Sequence, residues 1–89
     1  MHYTYILRCG DNSLYTGYTN RLNYRMKMHN EGKGAKYTKG RGPFQLVYVE
    51  THHQKSVAMK REYQIKQMRK EEKEELIKTQ CVLDTFIKV

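Results

Sequence analysis

The sequence predicts an α+β domain: a three-stranded antiparallel sheet in the order β-β-α-β-α plus a further helix, with helices flanking the sheet. Three observations predict it. Two short β-branched and aromatic segments stand on either side of a Gly-Asp-Asn turn near the start. A third such segment comes only after a helical stretch and a glycine-rich loop. The apolar residues that follow it recur at helical rather than alternating spacing. A chain of 89 residues has room for one domain with one modest core, so residues 1–89 are expected to form a single unit.

Residues 3–8 (YTYILR) are the first predicted strand and residues 13–18 (SLYTGY) the second; their short connection implies a hairpin. Gly17 weakens a strand interior unless a backbone or a ligand must come close there. Asn20 is a candidate N-cap for a helix running to about Asn30, with Leu22 and Met26 as its apolar i, i+4 pair. Residues 31–43 (EGKGAKYTKGRGP) are a loop by composition. Residues 44–50 (FQLVYVE) form the third and most apolar strand. Ser56 can cap a helix over 57–68, where Val57, Ala58, Ile65 and Met68 share one arc, Arg61 falls inside that arc and Glu62 sits at its edge. Residues 70–78 (KEEKEELIK) read as a solvated helix held by Leu76 and Ile77, with Lys70–Glu74 and Glu74–Lys78 pairs. The tail, 82–89, fits a short strand or a packed arm. His52 and His53 are adjacent, without a third ligand at metal spacing, and read as loop residues.

Composition narrows the function classes. The hydrophobic fraction is 38% and the apolar runs are short, so no transmembrane helix is expected. The N-terminus MHYTYILRCG lacks the pattern of a signal peptide, which points to a cytoplasmic protein. Cys9 and Cys81 fit no CxxC pattern and are expected to be reduced thiols. The formal charge is +8, and residues 1–43 carry eight Lys/Arg against two acids. A basic half of this kind suits a polyanionic partner, nucleic acid before a membrane surface.

Side chains of interest collect near the hairpin. By period-two alternation, Tyr3 and Tyr5 share one face of the first strand, and Tyr15 and Gly17 one face of the second. Arg21, Arg25 and His29 are spaced by four and line one side of the first helix. Phenols beside guanidiniums suit a phosphate, because a guanidinium can grip non-bridging oxygens bidentately. In the 31–43 loop, Lys33, Lys36, Lys39 and Arg41, with Arg21 outside it, are candidate contacts to a nucleic-acid backbone. The loop contains no GxxxxGK[ST] and is not a Walker A motif; the plainer alternative is a passive linker.

The pair TYI…LYTGYT resembles the signature of the GIY-YIG nuclease superfamily, with Tyr3-Thr4-Tyr5 in the place of GIY and Tyr15-Thr16-Gly17 in the place of YIG. Leu22 and Arg25 match the helix that follows, and Glu62 in AMKREYQIK matches the single metal-binding glutamate of that family. The match runs over about residues 3–68, leaving the last helix and tail, 69–89, outside it, and is closest to the small stand-alone members. The resemblance implies a metal-dependent endonuclease cutting DNA phosphodiesters with low sequence specificity. It implies Tyr5 as general base, its pKa lowered by nearby cations, and Tyr15 as the group orienting water or phosphate. It further implies Arg25 on the phosphate, His29 as a phosphate ligand or proton donor, and Mg²⁺ or Mn²⁺ on Glu62, with any sequence preference supplied by a protein partner. Positions depart from the pattern: Tyr3 replaces Gly, Thr16 replaces Ile, and Tyr18 stands where many members have a lysine, a role left to Arg21 or a loop cation.

Plainer roles stand beside these. Tyr3, Tyr5 and Tyr15 are also good sheet residues, and Tyr3 is assigned to packing. Glu62 can pair with Lys66 or Arg61. His29 can simply complement a helix C-terminus. For the whole chain the alternatives are a nucleic-acid-binding module of the same fold with little or no cutting, and an adaptor with an inherited fold.

Overall fold

The computed structural model describes residues 1–87. The chain runs β1 (His2–Arg8), β2 (Leu14–Thr19), α1 (Leu22–Asn30), a 3-10 turn (Lys36–Thr38), β3 (Gln45–His52), α2 (Lys55–Lys66) and α3 (Lys70–Ile87). The strands form one antiparallel sheet in the order β2-β1-β3, as the α+β reading requires. Tyr5 stands opposite Gly17 on one side and Val49 on the other.

Alternation along β1 divides the molecule in two. Ile6 points to the side where it clusters with Tyr48, Ile65 and Ile77, flanked by Leu14, Val47, Met68 and Leu76. This is the apolar core, and α2 and α3 cover it. On the same side the Thr4 hydroxyl donates to the Ala58 carbonyl at 2.7 Å, tying β1 to α2. Tyr5 and Leu7 point the other way, toward α1 and the 31–43 loop.

Two contacts fasten α3 to the sheet. Arg8 donates twice to the Glu74 carboxylate, at 2.6 and 2.9 Å. The Gln80 amide accepts from the Val49 N–H at 2.8 Å and donates to its carbonyl at 2.6 Å. Gln80 therefore satisfies backbone groups on the outer edge of β3 that would otherwise invite another strand.

Several local expectations are corrected. Asn20 does not cap α1: the N-cap position is Arg21, and the Thr19 hydroxyl accepts from its N–H at 3.0 Å, delaying the helix by a residue. Gln54, not Ser56, precedes α2, and Ser56 lies in its first turn. Val57 is exposed because α2 meets the sheet through Ala58 and Ile65. Glu74 turns to Arg8 across the fold rather than along its helix, while Lys78 pairs with Glu75 at 3.5 Å. His52 belongs to β3 and meets the Glu50 carboxylate at 3.1 Å. The tail is neither strand nor arm up to Ile87, since α3 continues through it; residues 88–89 lie outside the described residues. Cys9 is buried and unpaired, and the side chain of Cys81 lies outside the described residues. Among the described residues no helix is long and apolar enough to cross a membrane.

Candidate active site

The side of the sheet away from the apolar core carries the polar constellation. Tyr5, at the centre of β1, is fully buried. Its phenol lies across Gly17 in the neighbouring strand. A Cβ at position 17 would come within 2.5 Å of the Tyr5 hydroxyl oxygen and 2.9 Å of the Tyr15 ring. The backbone approach expected at Gly17 is therefore made by the protein's own phenol, and only a residue without a side chain leaves room for it.

From that position the Tyr5 hydroxyl reaches His29 Nε2 at 2.9 Å. His29, in the last turn of α1, is itself buried, and its Nδ1 lies 3.0 Å from the Thr38 Oγ1. The Thr38 hydroxyl donates to the Ala35 carbonyl at 2.8 Å. With its one proton so used, Thr38 can only accept from His29. Nδ1 therefore carries the imidazole proton and Nε2 accepts from Tyr5. The four groups form a directed chain, Tyr5 to His29 to Thr38 to Ala35, built from β1, α1 and the 3-10 turn.

Burial sets the protonation of this chain. It pushes the Tyr5 pKa up to about 12, with Arg25 pulling down and the charges of Tyr15 and Glu62 pushing up. It pulls His29 down to about 4, helped by the Arg25 charge. At neutral pH the pair is a phenol and a neutral imidazole. The expected lowering of the Tyr5 pKa is thus reversed: loss of water around a fully enclosed phenol outweighs one guanidinium.

Arg25 sits one turn before His29 on α1. Both phenols strengthen its charge, Tyr5 most. Yet its Nε is buried with no hydrogen-bond partner. An unsatisfied buried donor is uncommon in a folded protein and asks for an acceptor. Tyr15 packs edge-on to His29 at 5.5 Å between ring centres and lies 6.3 Å from the Tyr5 ring.

Glu62 comes from α2, on the other side of the sheet. Its carboxylate is 18% exposed and pairs with Lys66 at 3.5 Å. Its charge contributes to raising the Tyr5 pKa, after burial and the Tyr15 charge. The ion pair with Lys66 anticipated from their spacing is present. Arg61 turns instead to Glu50 on β3, at 2.8 Å.

The other candidate residues are scattered. Arg21 stacks on Tyr24 at 4.4 Å and is not the cation that lowers the Tyr5 pKa, which is Arg25. Tyr18 directs its hydroxyl to His2 Nδ1 at 2.7 Å, on the core side of the sheet. Tyr3 is half-buried and lines a cavity with Arg21 and Tyr24. Lys33 pairs with Glu31 at 3.8 Å, and Lys39 is exposed. Arg41 pairs with Asp11 at 2.6 Å and covers Tyr37 at 4.5 Å. The side chain of Lys36 lies outside the described residues.

The 31–43 segment is not a free arm, because its middle folds back on the site. Thr38 is buried against His29, and Tyr37 stacks on Tyr15 at 5.8 Å between ring centres. Gly34 packs so closely on the His29 ring that any Cβ there would overlap it. Thr38, Gly34 and Tyr37 are the residues that sequence reasoning missed. Their one signal was a threonine and an aromatic inside a glycine-rich basic stretch.

Among the described residues no three His, Cys, Asp or Glu side chains gather as a metal cage. Among the described residues the one acid near enough for its charge to reach the Tyr5 phenol is Glu62. That suits a hard ion of the Mg²⁺ kind, which takes one or two carboxylates and keeps its remaining positions for water and phosphate oxygens. Glu62 is the residue that could hold such an ion, which would share its carboxylate with the Lys66 ammonium at 3.5 Å.

Comparison with known proteins gives the family. Residues 1–75 match the family model of the GIY-YIG catalytic domain. The UPF0213 protein of Oceanobacillus iheyensis is 61% identical over 79 residues, covering 89% of this chain and 92% of that one. The UPF0213 protein of Clostridium perfringens is 52% identical, covering 92% and 88%. Among solved structures, the UPF0213 protein of Bacillus halodurans superposes with a TM-score of 0.59 at 50% identity, over 88% of this chain and 83% of that one. A protein of E. faecalis gives a TM-score of 0.62 at 37% identity, over 91% and 86%. The chain is a member of the GIY-YIG family, in the branch of its small stand-alone UPF0213 proteins.

Proposed function

We propose that this protein is an endonuclease that hydrolyses DNA phosphodiester bonds with the help of a divalent metal ion and with little sequence preference of its own. The observation that carries the reading is Arg25, held against the Tyr5 and Tyr15 phenols with its buried Nε unpartnered. A donor left open in that setting is matched by an anionic oxygen, and a phosphodiester supplies several.

Each residue then has a task. Arg25 grips the non-bridging oxygens and holds the phosphorus in line for attack. Tyr15 bounds the pocket beside it and orients the water. Tyr5 is the group that takes the water's proton, and its own proton passes to His29 Nε2 along the existing hydrogen bond. The Thr38 oxygen steadies the imidazolium through Nδ1–H. A Mg²⁺ or Mn²⁺ ion held by Glu62 supplies Lewis acidity to the phosphate oxygens when bound. The chain carries the whole arrangement within one domain, and a partner protein is the natural source of any site selection. The cytoplasm is the compartment where it meets DNA.

A second reading has one observation in its favour. A Tyr5 phenol enclosed in the fold, with its pKa near 12, is a poor base until something else lowers it. A module that binds nucleic acid and cuts little or not at all would look the same.

The test is cleavage of plasmid and labelled oligonucleotides with Mg²⁺ or Mn²⁺, by wild type and by Tyr5→Phe, Arg25→Ala and Glu62→Ala. The expected result is wild-type cleavage, with each variant slower by about 10²-fold or more. Equal cleavage by all four proteins would mean a contaminant is cutting and would end the enzyme reading. No cleavage, together with steeply salt-dependent binding, would select the binding module.

A further inference from the structure

Cations from outside the 31–43 loop also flank the candidate centre. A cavity of about 380 Å³ lies along β2 and is lined by Leu14, Tyr15, Thr16, Tyr37, Lys66 and Lys73. It shares Tyr15 with the candidate centre. β2 is the outer strand of the sheet on this side, so its outer edge has backbone groups that no other strand takes up.

Two features suit this cavity to an anion. Thr16, where the family pattern has an apolar residue, is only 3% exposed. Its hydroxyl has no hydrogen-bond partner, and the remaining polar groups lining the cavity are ammonium ions and phenols. Lys66 and Lys73 come from different helices and meet at one cavity. Lys66 is shared with Glu62, whereas among the described residues no carboxylate pairs with Lys73. Burial first, and then the charge of Lys66, lowers the Lys73 pKa. Tyr37 is 45% exposed, lies against Tyr15 and is covered by Arg41, which adds a further cation at the rim of the cavity.

We propose that this cavity is a second phosphate subsite, in which Lys66, Lys73 and the Thr16 hydroxyl hold the backbone phosphate of the nucleic-acid strand next to the one gripped by Arg25. It rests on the nuclease-type reading above and adds the direction in which the strand leaves the centre: along the outer edge of β2, past Tyr37. In this arrangement Lys66 bridges the two sites, touching Glu62 on one side and the flanking phosphate on the other.

The test uses the full chain, a twelve-nucleotide oligothymidylate and no divalent metal. NMR amide shifts locate the contact, and fluorescence anisotropy over a range of NaCl gives the affinity and its salt slope. The expected shifts fall at Thr16, Tyr37, Lys66 and Lys73 as well as at Tyr15 and Arg25. Lys73→Gln should weaken binding about 3- to 10-fold at low salt and reduce the salt slope by about 0.7, the value of one phosphate contact on a single strand. Lys73→Arg should restore both. Thr16→Val should weaken binding about 2- to 5-fold and leave the slope unchanged, since it removes a hydrogen bond and no charge. The subsite would be overturned alone if Arg25→Ala lost affinity while Lys73→Gln and Thr16→Val bound as wild type. Absence of any binding by wild type at low salt would overturn both the subsite and the nucleic-acid reading.

Discussion

Protonation of His29 should destabilise this protein as pH falls below about 6.5. In the native state burial, with the Arg25 charge, holds the imidazole pKa at about 4, against 6.5 for an ordinary histidine. Protonation costs the Nε2 its role as acceptor for the Tyr5 hydroxyl and places a charge on a side chain that is 1% exposed. The sign follows from linkage. Between pH 6.5 and about 4 the unfolded chain binds a proton that the native state refuses, so stability falls as pH falls. The contribution is fully present above pH 6.5 and gone below about 4. At about 1.4 kcal/mol per pH unit, the difference is worth about 3 kcal/mol, a large share of the roughly 5–15 kcal/mol that holds a domain together. The carboxylate of Glu50 is held low despite its burial, because hydrogen bonds from Tyr48 and Arg61 and the Arg61 charge outweigh the loss of water. Its contribution begins to be lost only as pH falls past the ordinary carboxylate value of 4.5, at the acid end of the histidine window. Urea denaturation followed by circular dichroism at half-unit steps from pH 7.5 to 4.5 measures the slope, which should approach but not exceed about 1.4 kcal/mol per pH unit near pH 5. NMR titration of the imidazole carbons assigns it. A His29 that titrates near 6.5, or a His29→Gln variant with the wild-type pH slope, would refute the account of a buried neutral imidazole.

Two further perturbations test the architecture around the site. Gly17→Ala should cost about 1–3 kcal/mol in urea denaturation, because its Cβ would meet the Tyr5 hydroxyl at 2.5 Å; the His29 titration should move with it as the phenol is displaced. Glu50→Gln should cost about 2 kcal/mol, lowering Tm by roughly 8–16 °C, since it removes the charge facing Arg61 at 2.8 Å and loosens the attachment of α2 to β3. A double-mutant cycle with Arg61→Ala should show strong coupling, and additive losses would mean the pair contributes nothing to that attachment.

Much of the candidate site was legible because its residues lie in regular elements close together in sequence. Tyr5, Tyr15 and Gly17 belong to one hairpin, where alternation decides the face. Arg25 and His29 are four apart on one helix, where periodicity decides the side. Their mutual approach needed only the hairpin and the helix behind it. The details that failed were those set by competition between groups. The pKa of Tyr5 depended on whether burial or Arg25 was stronger, which no spacing can tell. The start of α1 depended on Thr19 bonding to Arg21 rather than on Asn20.

By itself, the sequence determined the α+β class, the hairpin, the family, the excess of positive charge in the first half, and the short list of phenols, guanidiniums and a carboxylate. These follow from local pattern and composition, which each stretch carries without its neighbours. Only the tertiary structure decided that Thr38 orients His29, that Gly17 makes room for Tyr5, and that Lys73 and Thr16 face a common cavity with Lys66. Those pairings join residues brought together by packing of separate elements. The physical reason is that hydrogen-bond partners, burial and electric fields are properties of a neighbourhood in space, and that neighbourhood exists only after the sheet has closed against its helices.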